Sequence, residues 1–83
     1  MGEFTKMYQS IRWRNRRKRF LLKNPFCVEC LKNGRFEYAD IVDHIIPHKG
    51  DWDLFINYDN LQSLCRVCHG KKSVKERCRY GAI

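Results

Sequence analysis

Asn60-Leu61-Gln62-Ser63-Leu64-Cys65-Arg66-Val67-Cys68-His69-Gly70-Lys71-Lys72 changes its period halfway along. The first five residues alternate as a short strand does, and from Cys65 to about Arg77 the composition is helical, broken only by Gly70. A Cys-x-x-Cys pair, Cys65 and Cys68, sits on the junction. Upstream, Cys27-Val28-Glu29-Cys30 repeats that spacing. Thiolates so spaced turn back onto one ion, and two such pairs give the closed Cys₄ site typical of structural zinc. Such a site has no open coordination position, so this Zn²⁺ is assigned a structural role. Cys78 is left without a partner.

The competing reading of the cysteines is a pair of disulfides. No stretch reads as a secretory signal, and no apolar run approaches the ~20 residues that span a bilayer. A cytoplasmic location is therefore expected, with no membrane partner. Thiols in a reducing compartment serve as ligands more readily than as cross-links. A chain of 83 residues also needs a staple, because a core of that size leaves a fold marginally stable.

Outward from the second strand, Ala39-Asp40-Ile41-Val42-Asp43-His44-Ile45-Ile46 is rich in β-branched residues and is expected to be its antiparallel partner, closed by Pro47. Residues 47–59 hold Gly50 and polar residues but also Trp52, Leu54 and Phe55, which suggests a compact, internally packed loop. Tyr8 to Lys23 lacks Pro and Gly and is expected to be a helix. Ser10 and Thr5 are both allowed starts, and Tyr8, Ile11, Phe20 and Leu22 are available for an apolar face. Asn24-Pro25 ends it. The expected fold is α+β and a single domain over residues 1–83. Residues 1–7 are set aside as a disordered or cloning-derived lead, 8–24 form a basic helix, and 25–78 form the zinc-stapled core.

The formal charge is +8. Four thiolates with one zinc ion lower it only to roughly +6. Arg12, Arg14, Arg16, Arg17, Lys18 and Arg19 wrap around the first helix, and Lys71 and Lys72 add charge on the last. A solvated face is the plain reading of such residues. With this net charge, phosphate contact is favoured, since it supplies sequence-independent affinity for nucleic acid.

Asp43 and His44 are neighbours near a strand end, so their side chains point to opposite sides. His69 follows the zinc ligand Cys68 and is presented on another face of its helix. His48, beyond Pro47, is read as an exposed loop histidine. The aromatic residues Trp13, Trp52, Phe55 and Tyr58 are expected to pack rather than to stack on bases.

In Asp43-His44-Ile45-Ile46-Pro47, Asn60 to Cys65 and Cys68-His69-Gly70-Lys71-Lys72, framed by the two Cys pairs, the chain resembles the zinc-containing branch of the HNH endonuclease family. The resemblance implies a ββα-metal (His-Me finger) domain acting on double-stranded DNA. It implies that His44 is the general base, and that Asp43 and His69 hold a catalytic divalent ion, Mg²⁺, Mn²⁺ or another. It gives Asn60 the role of bracing the loop and orienting His44 or the substrate, with Asn57 as a nearby alternative. Lys71 and Lys72 are then expected near the DNA backbone. Small free-standing members of this branch are often encoded by phages, some beside packaging terminases. A terminase subunit thus becomes a candidate partner and the host cytoplasm the expected location.

Two functional readings follow. The first is a metal-dependent endonuclease with weak sequence preference that nicks DNA, because one monomer carries one active site. The second is a non-catalytic zinc module that docks DNA or a terminase. Knuckles and a basic helix suit both, but a docking module leaves Asp43, His44, Asn60 and His69 unexplained.

Overall fold

The computed structural model describes residues 4–80, with side chains to residue 76; Cys78 lies outside the described side chains. Two strands, β1 (Ile41–His44) and β2 (Leu61–Leu64), pair antiparallel with Ile41 opposite Leu64 and His44 opposite Leu61. Five helices surround them: α1 (Thr5–Gln9), α2 (Ile11–Lys23), α3 (Val28–Lys32), α4 (Trp52–Ile56) and α5 (Arg66–Tyr80). A 3₁₀ turn at Tyr58–Asn60 leads into β2. Among the described residues, no helix is long and apolar enough to cross a membrane.

Both sequence-allowed helix starts are used. Ser10 breaks the N-terminal segment in two: its hydroxyl accepts from the Trp13 N–H to cap α2 and donates to the Met7 carbonyl at the end of α1. Residues 5–7, set aside from sequence, thus lie within α1.

The apolar face of α2 differs from the sequence expectation. Trp13 and Phe20, two turns apart, are buried, whereas Ile11 and Leu22 are 74% and 83% exposed. A two-residue offset is a rotation of about 200°, so Ile11 and Leu22 lie opposite the buried stripe.

The first strand is shorter than its β-branched stretch. Asn60 captures the backbone of Ile46, accepting from its N–H and donating to its carbonyl, which removes that residue from the ladder. At the other end the Ala39 N–H goes to the Pro25 carbonyl. Residues 47–59 do pack on themselves, around α4 and the fully buried Phe55.

Strand alternation divides the interior into two clusters. Val42, His44, Leu61 and Ser63 face α2, where Trp13, Phe20, Val42, Phe55 and Leu61 form the apolar core. Ser63 donates to the Asn24 carbonyl on that side and ties the end of α2 to the sheet. Asp43 and Gln62 face α5, and Leu64 packs against Cys27 and Cys30 in the second cluster. Burying these few large side chains at roughly 1.5–3 kcal/mol each leaves little margin after chain entropy. The sulfur cluster at one end of the sheet is where further stabilisation is needed.

Candidate active site and metal centre

The four sulfurs of Cys27, Cys30, Cys65 and Cys68 lie within 4.8 Å of one another, and none is in a disulfide. Cys30 Sγ is 3.9 Å from both Cys65 Sγ and Cys68 Sγ. A tetrahedron with ~2.3 Å zinc–sulfur bonds has edges of roughly 3.8 Å, so the spacing fits one zinc ion. Local backbone explains the convergence. Cys27 caps α3, Gly34 turns the chain with φ +75°, and the Arg35 N–H returns to the Cys30 carbonyl. Cys65 immediately precedes α5, and Cys68 is in its first turn.

Cys27, Cys30 and Cys68 are not shifted in one direction. Burial raises Cys30, and burial with its thiol neighbours pushes Cys68 up to about 12. Burial also works against the Cys27 thiolate, but the Cys65 and Cys30 backbone together with the Cys30 and Cys68 thiols outweigh it and bring Cys27 down to about 7. The Arg35 guanidinium, 3.7 Å from Cys30 Sγ, offsets part of the charge. Four sulfurs crowded together give up all of their protons only against a cation, and this donor set suits zinc.

On the far side of the sheet from α2, Asp43 of β1 meets α5. Its Oδ1 is 3.4 Å from His69 Nε2. Its Oδ2 is 2.9 Å from Lys72 Nζ and accepts from the Gln62 side chain opposite it at 3.1 Å. The two carboxylate oxygens thus face different partners. Lys72 is turned inward: it also pairs with Glu76 at 2.7 Å and donates to the His44 carbonyl at 2.8 Å. Burial works against its ammonium, but Glu76 and Asp43 together hold its pKa above the ordinary value. Lys71, by contrast, is exposed.

His44 points the other way and is buried between rings, stacked against Trp13 and Phe55 at centroid distances of 5.2 and 5.1 Å. Its Nε2 is 2.9 Å from the Phe55 carbonyl. A carbonyl oxygen only accepts, so Nε2 carries the proton and Nδ1 of the neutral ring keeps its lone pair. Burial lowers the His44 pKa, and the Phe55 carbonyl and Asp43 oppose this only in part. The imidazole is therefore neutral at physiological pH. It lines an open cleft of about 240 Å³ with Tyr8, Asp43, His48 and Glu76.

Asn60 is buried with its amide fully used. Besides the two bonds to Ile46, it donates to the Leu54 carbonyl at 2.8 Å, next to the Phe55 carbonyl that holds His44. Asn57 is exposed and its side chain accepts locally from the Asp59 N–H. Asn60, not Asn57, ties the loop to the strand.

His48 is not the exposed loop residue expected from sequence: only 6% of it is accessible. The rings of Phe4, Tyr8 and Phe55 cover it, at centroid distances of 4.9, 5.7 and 4.7 Å. Its Nδ1 accepts from the Gly50 N–H and its Nε2 lies 3.0 Å from the Tyr8 hydroxyl. Tyr8 and Glu76 line the cleft, and Gln62 and the Phe55 carbonyl hold Asp43 and His44 from behind it, without a motif in the sequence to announce them.

The basic residues of α2 are unevenly engaged. Arg16 lies 4.4 Å over the Tyr58 ring, Arg12 lies 6.0 Å over Trp52, and Arg17 donates to the Asp40 carbonyl. Arg14, Lys18 and Arg19 are exposed.

A family model described as HNH endonuclease matches residues 27–75, more than half of the chain. The probable HNH endonuclease of Lactococcus phage SK1 is 43% identical over 51 residues, which are 57% of this chain and 52% of that protein. The chain thus spans about half the length of that relative. The crystal structure of the HNH endonuclease of deep-sea thermophilic bacteriophage GVE2, solved with manganese ion, is 42% identical with a TM-score of 0.86. The match covers 93% of this chain and 85% of that one. Both thiol pairs and the Asp43, His44, Asn60 and His69 set fall inside the matched residues, and the shared fold extends beyond them: the chain belongs to the HNH endonuclease family.

Proposed function

We propose that the chain is a divalent-metal-dependent endonuclease that hydrolyses phosphodiester bonds in double-stranded DNA, nicking it with weak sequence preference. The observation that carries this reading is the approach of His69 Nε2 to Asp43 Oδ1 beside a neutral His44 with an unprotonated Nδ1. Two ligand atoms on one ion with bonds of ~2.1 Å stand roughly 3.0–3.5 Å apart, so this pair fits a single divalent cation. The manganese in the GVE2 nuclease structure supports that choice. When bound, such an ion polarises a phosphate oxygen and stabilises the departing 3′-oxygen.

The rest is done by the chain. His44 takes the proton of the attacking water at Nδ1, and its Nε2–H bond to the Phe55 carbonyl strengthens as the ring becomes charged. Stacking between Trp13 and Phe55 keeps the ring from rotating. Lys72 and Gln62 hold Oδ2 of Asp43, leaving Oδ1 toward His69. Asn60 fixes the loop that carries the Phe55 carbonyl, which makes it a positioning residue.

Phosphate contacts by Arg12, Arg14, Arg16, Arg17, Lys18, Arg19 and Lys71 supply affinity; Lys72, expected among them from sequence, is instead turned onto Asp43 and Glu76. Phosphate contacts carry little base information, which supports weak sequence preference. The phage origin of the relatives supports a setting in the host cytoplasm. A role in DNA packaging beside a terminase subunit extends this proposal and rests on the family resemblance alone.

The test is calorimetric titration of zinc-loaded protein with Mn²⁺, alongside conversion of supercoiled plasmid to nicked circles. The expected result is one further ion per chain, lost in Asp43→Asn and His69→Ala, and nicking that requires it. Zinc-loaded protein that takes up no second ion and leaves plasmid intact would instead be a docking module.

A further inference from the structure

The active cleft has a wall that comes from outside residues 27–75. Tyr8 of α1 lines it together with Asp43, His44, His48 and Glu76. Its ring packs edge-on against Phe55 and Trp13 at 4.9 and 5.9 Å and stands 6.3 Å from the His44 ring. Roughly half of the residue remains accessible, so the ring is anchored while its open side faces the cleft.

The direction of the Tyr8 hydroxyl follows from a chain of hydrogen bonds. Lys49 and Gly50 take positive φ, +48° and +89°, and this turn aims the Gly50 N–H back at His48 Nδ1 at 3.0 Å. A nitrogen accepting from a backbone N–H holds no proton, so the proton of neutral His48 is on Nε2. Nε2–H then donates to the Tyr8 oxygen 3.0 Å away. The hydroxyl spends an acceptor site on His48 and keeps its own proton for another partner. Burial and the nearby Asp43 charge both raise the Tyr8 pKa, so that proton stays on.

We infer that Tyr8 is a further residue of the active cleft, its hydroxyl positioned by His48 to donate a hydrogen bond to a non-bridging oxygen of the scissile phosphate. The inference rests on the nuclease reading above and deepens it. No proton is transferred: the bond strengthens as negative charge builds on the phosphate and relaxes on product release. His48 does not touch the phosphate; it acts through the Tyr8 oxygen and is a positioning residue. A donor that matters most at the transition state lowers the chemical rate more than it lowers affinity.

The experiment compares wild type, Tyr8→Phe, His48→Gln, the double variant and His44→Ala. For each, single-turnover nicking of supercoiled plasmid is measured with saturating Mn²⁺, together with duplex-DNA affinity and thermal melting. Tyr8→Phe keeps the ring and its packing. It is expected to nick roughly tenfold or more slowly while its DNA affinity stays within about twofold. His48→Gln is expected to slow nicking less. The double variant should be no slower than Tyr8→Phe within about twofold, because both changes act on one hydroxyl. That non-additivity is what a merely structural loss lacks. Wild-type rates in Tyr8→Phe, or rate losses that multiply in the double variant, overturn the inference. If those results come with active wild type and silent His44→Ala, the nuclease reading stands; if wild type itself fails to nick, that reading fails and this inference with it.

Discussion

His44 Nε2 donates to the carbonyl of Phe55 at 2.9 Å, and that one bond decides which nitrogen of the ring is a base. The ring is sandwiched by Trp13 and the Phe55 side chain itself, so a single residue supplies both the acceptor and a packing face. Chemistry and core are therefore coupled in this small domain, and changes in the loop between the strands are expected to reach the site.

Asn60 is the sharpest case of that coupling. Replacing it with Ala leaves the Ile46 N–H and the Ile46 and Leu54 carbonyls without their partner. Stranded buried groups cost about 1–3 kcal/mol each, so with three of them Asn60→Ala is expected to lose at least about 3 kcal/mol of stability. At temperatures where it is still folded, nicking should fall at least tenfold, because the Phe55 carbonyl is no longer held. Urea unfolding followed by a plasmid assay checks both, and a fully stable, fully active variant contradicts the account.

Much of this was legible from the residues alone. The change of period at Cys65 marks β2 and α5, and the two thiol pairs mark the staple, because both signals are local in the chain. The Asp43, His44, Asn60 and His69 set is a motif and was readable as one. What was not legible depends on tertiary packing. The buried stripe of α2 passes through Trp13 because His44 and Phe55 cover it, not because of any periodicity in Ile11 or Leu22. His48 is buried because an N-terminal helix folds over the loop. Lys72 turns inward because two carboxylates wait there. No pattern within a ten-residue window encodes such encounters.

Zinc removal tests the staple. Binding of a structural zinc is worth ~10–16 kcal/mol in small zinc domains, more than a core of this size can replace. Stripping the metal with a chelator, or Cys30→Ser, should abolish the cooperative thermal transition and the helical circular dichroism. A zinc-free chain that keeps both would place the stabilisation elsewhere.

Acid should destabilise the fold through its buried histidines. Burial lowers the pKa of His44 and of His48 below the ordinary 6.5, so between 6.5 and the folded values the unfolded chain binds more protons. Stability is full above pH 6.5 and falls as pH drops below it, by up to about 1.4 kcal/mol per pH unit for each group. His48→Gln leaves the thiols unchanged, and its stability should fall less steeply than that of wild type below pH 6.5. Parallel curves would contradict this.

A divalent ion held by Asp43 and His69, as proposed, would compete with Lys72 for the charge of Asp43. With Lys72→Met, Asp43 and Glu76 lose their ammonium partner. Mn²⁺ affinity, read by calorimetry on zinc-loaded protein, should rise several-fold, while the zinc-loaded fold without Mn²⁺ loses about 1–3 kcal/mol. Weaker Mn²⁺ binding would show that the hold of Lys72 on Oδ2 matters more to the ion than its competition for the charge.

The central claim is that His44 is the base, and nicking of supercoiled plasmid by His44→Ala tests it most directly. With Mn²⁺ present and folding verified by circular dichroism, the rate is expected to fall about 10²–10⁴-fold from wild type with DNA affinity largely retained. Undiminished nicking by folded His44→Ala would contradict it.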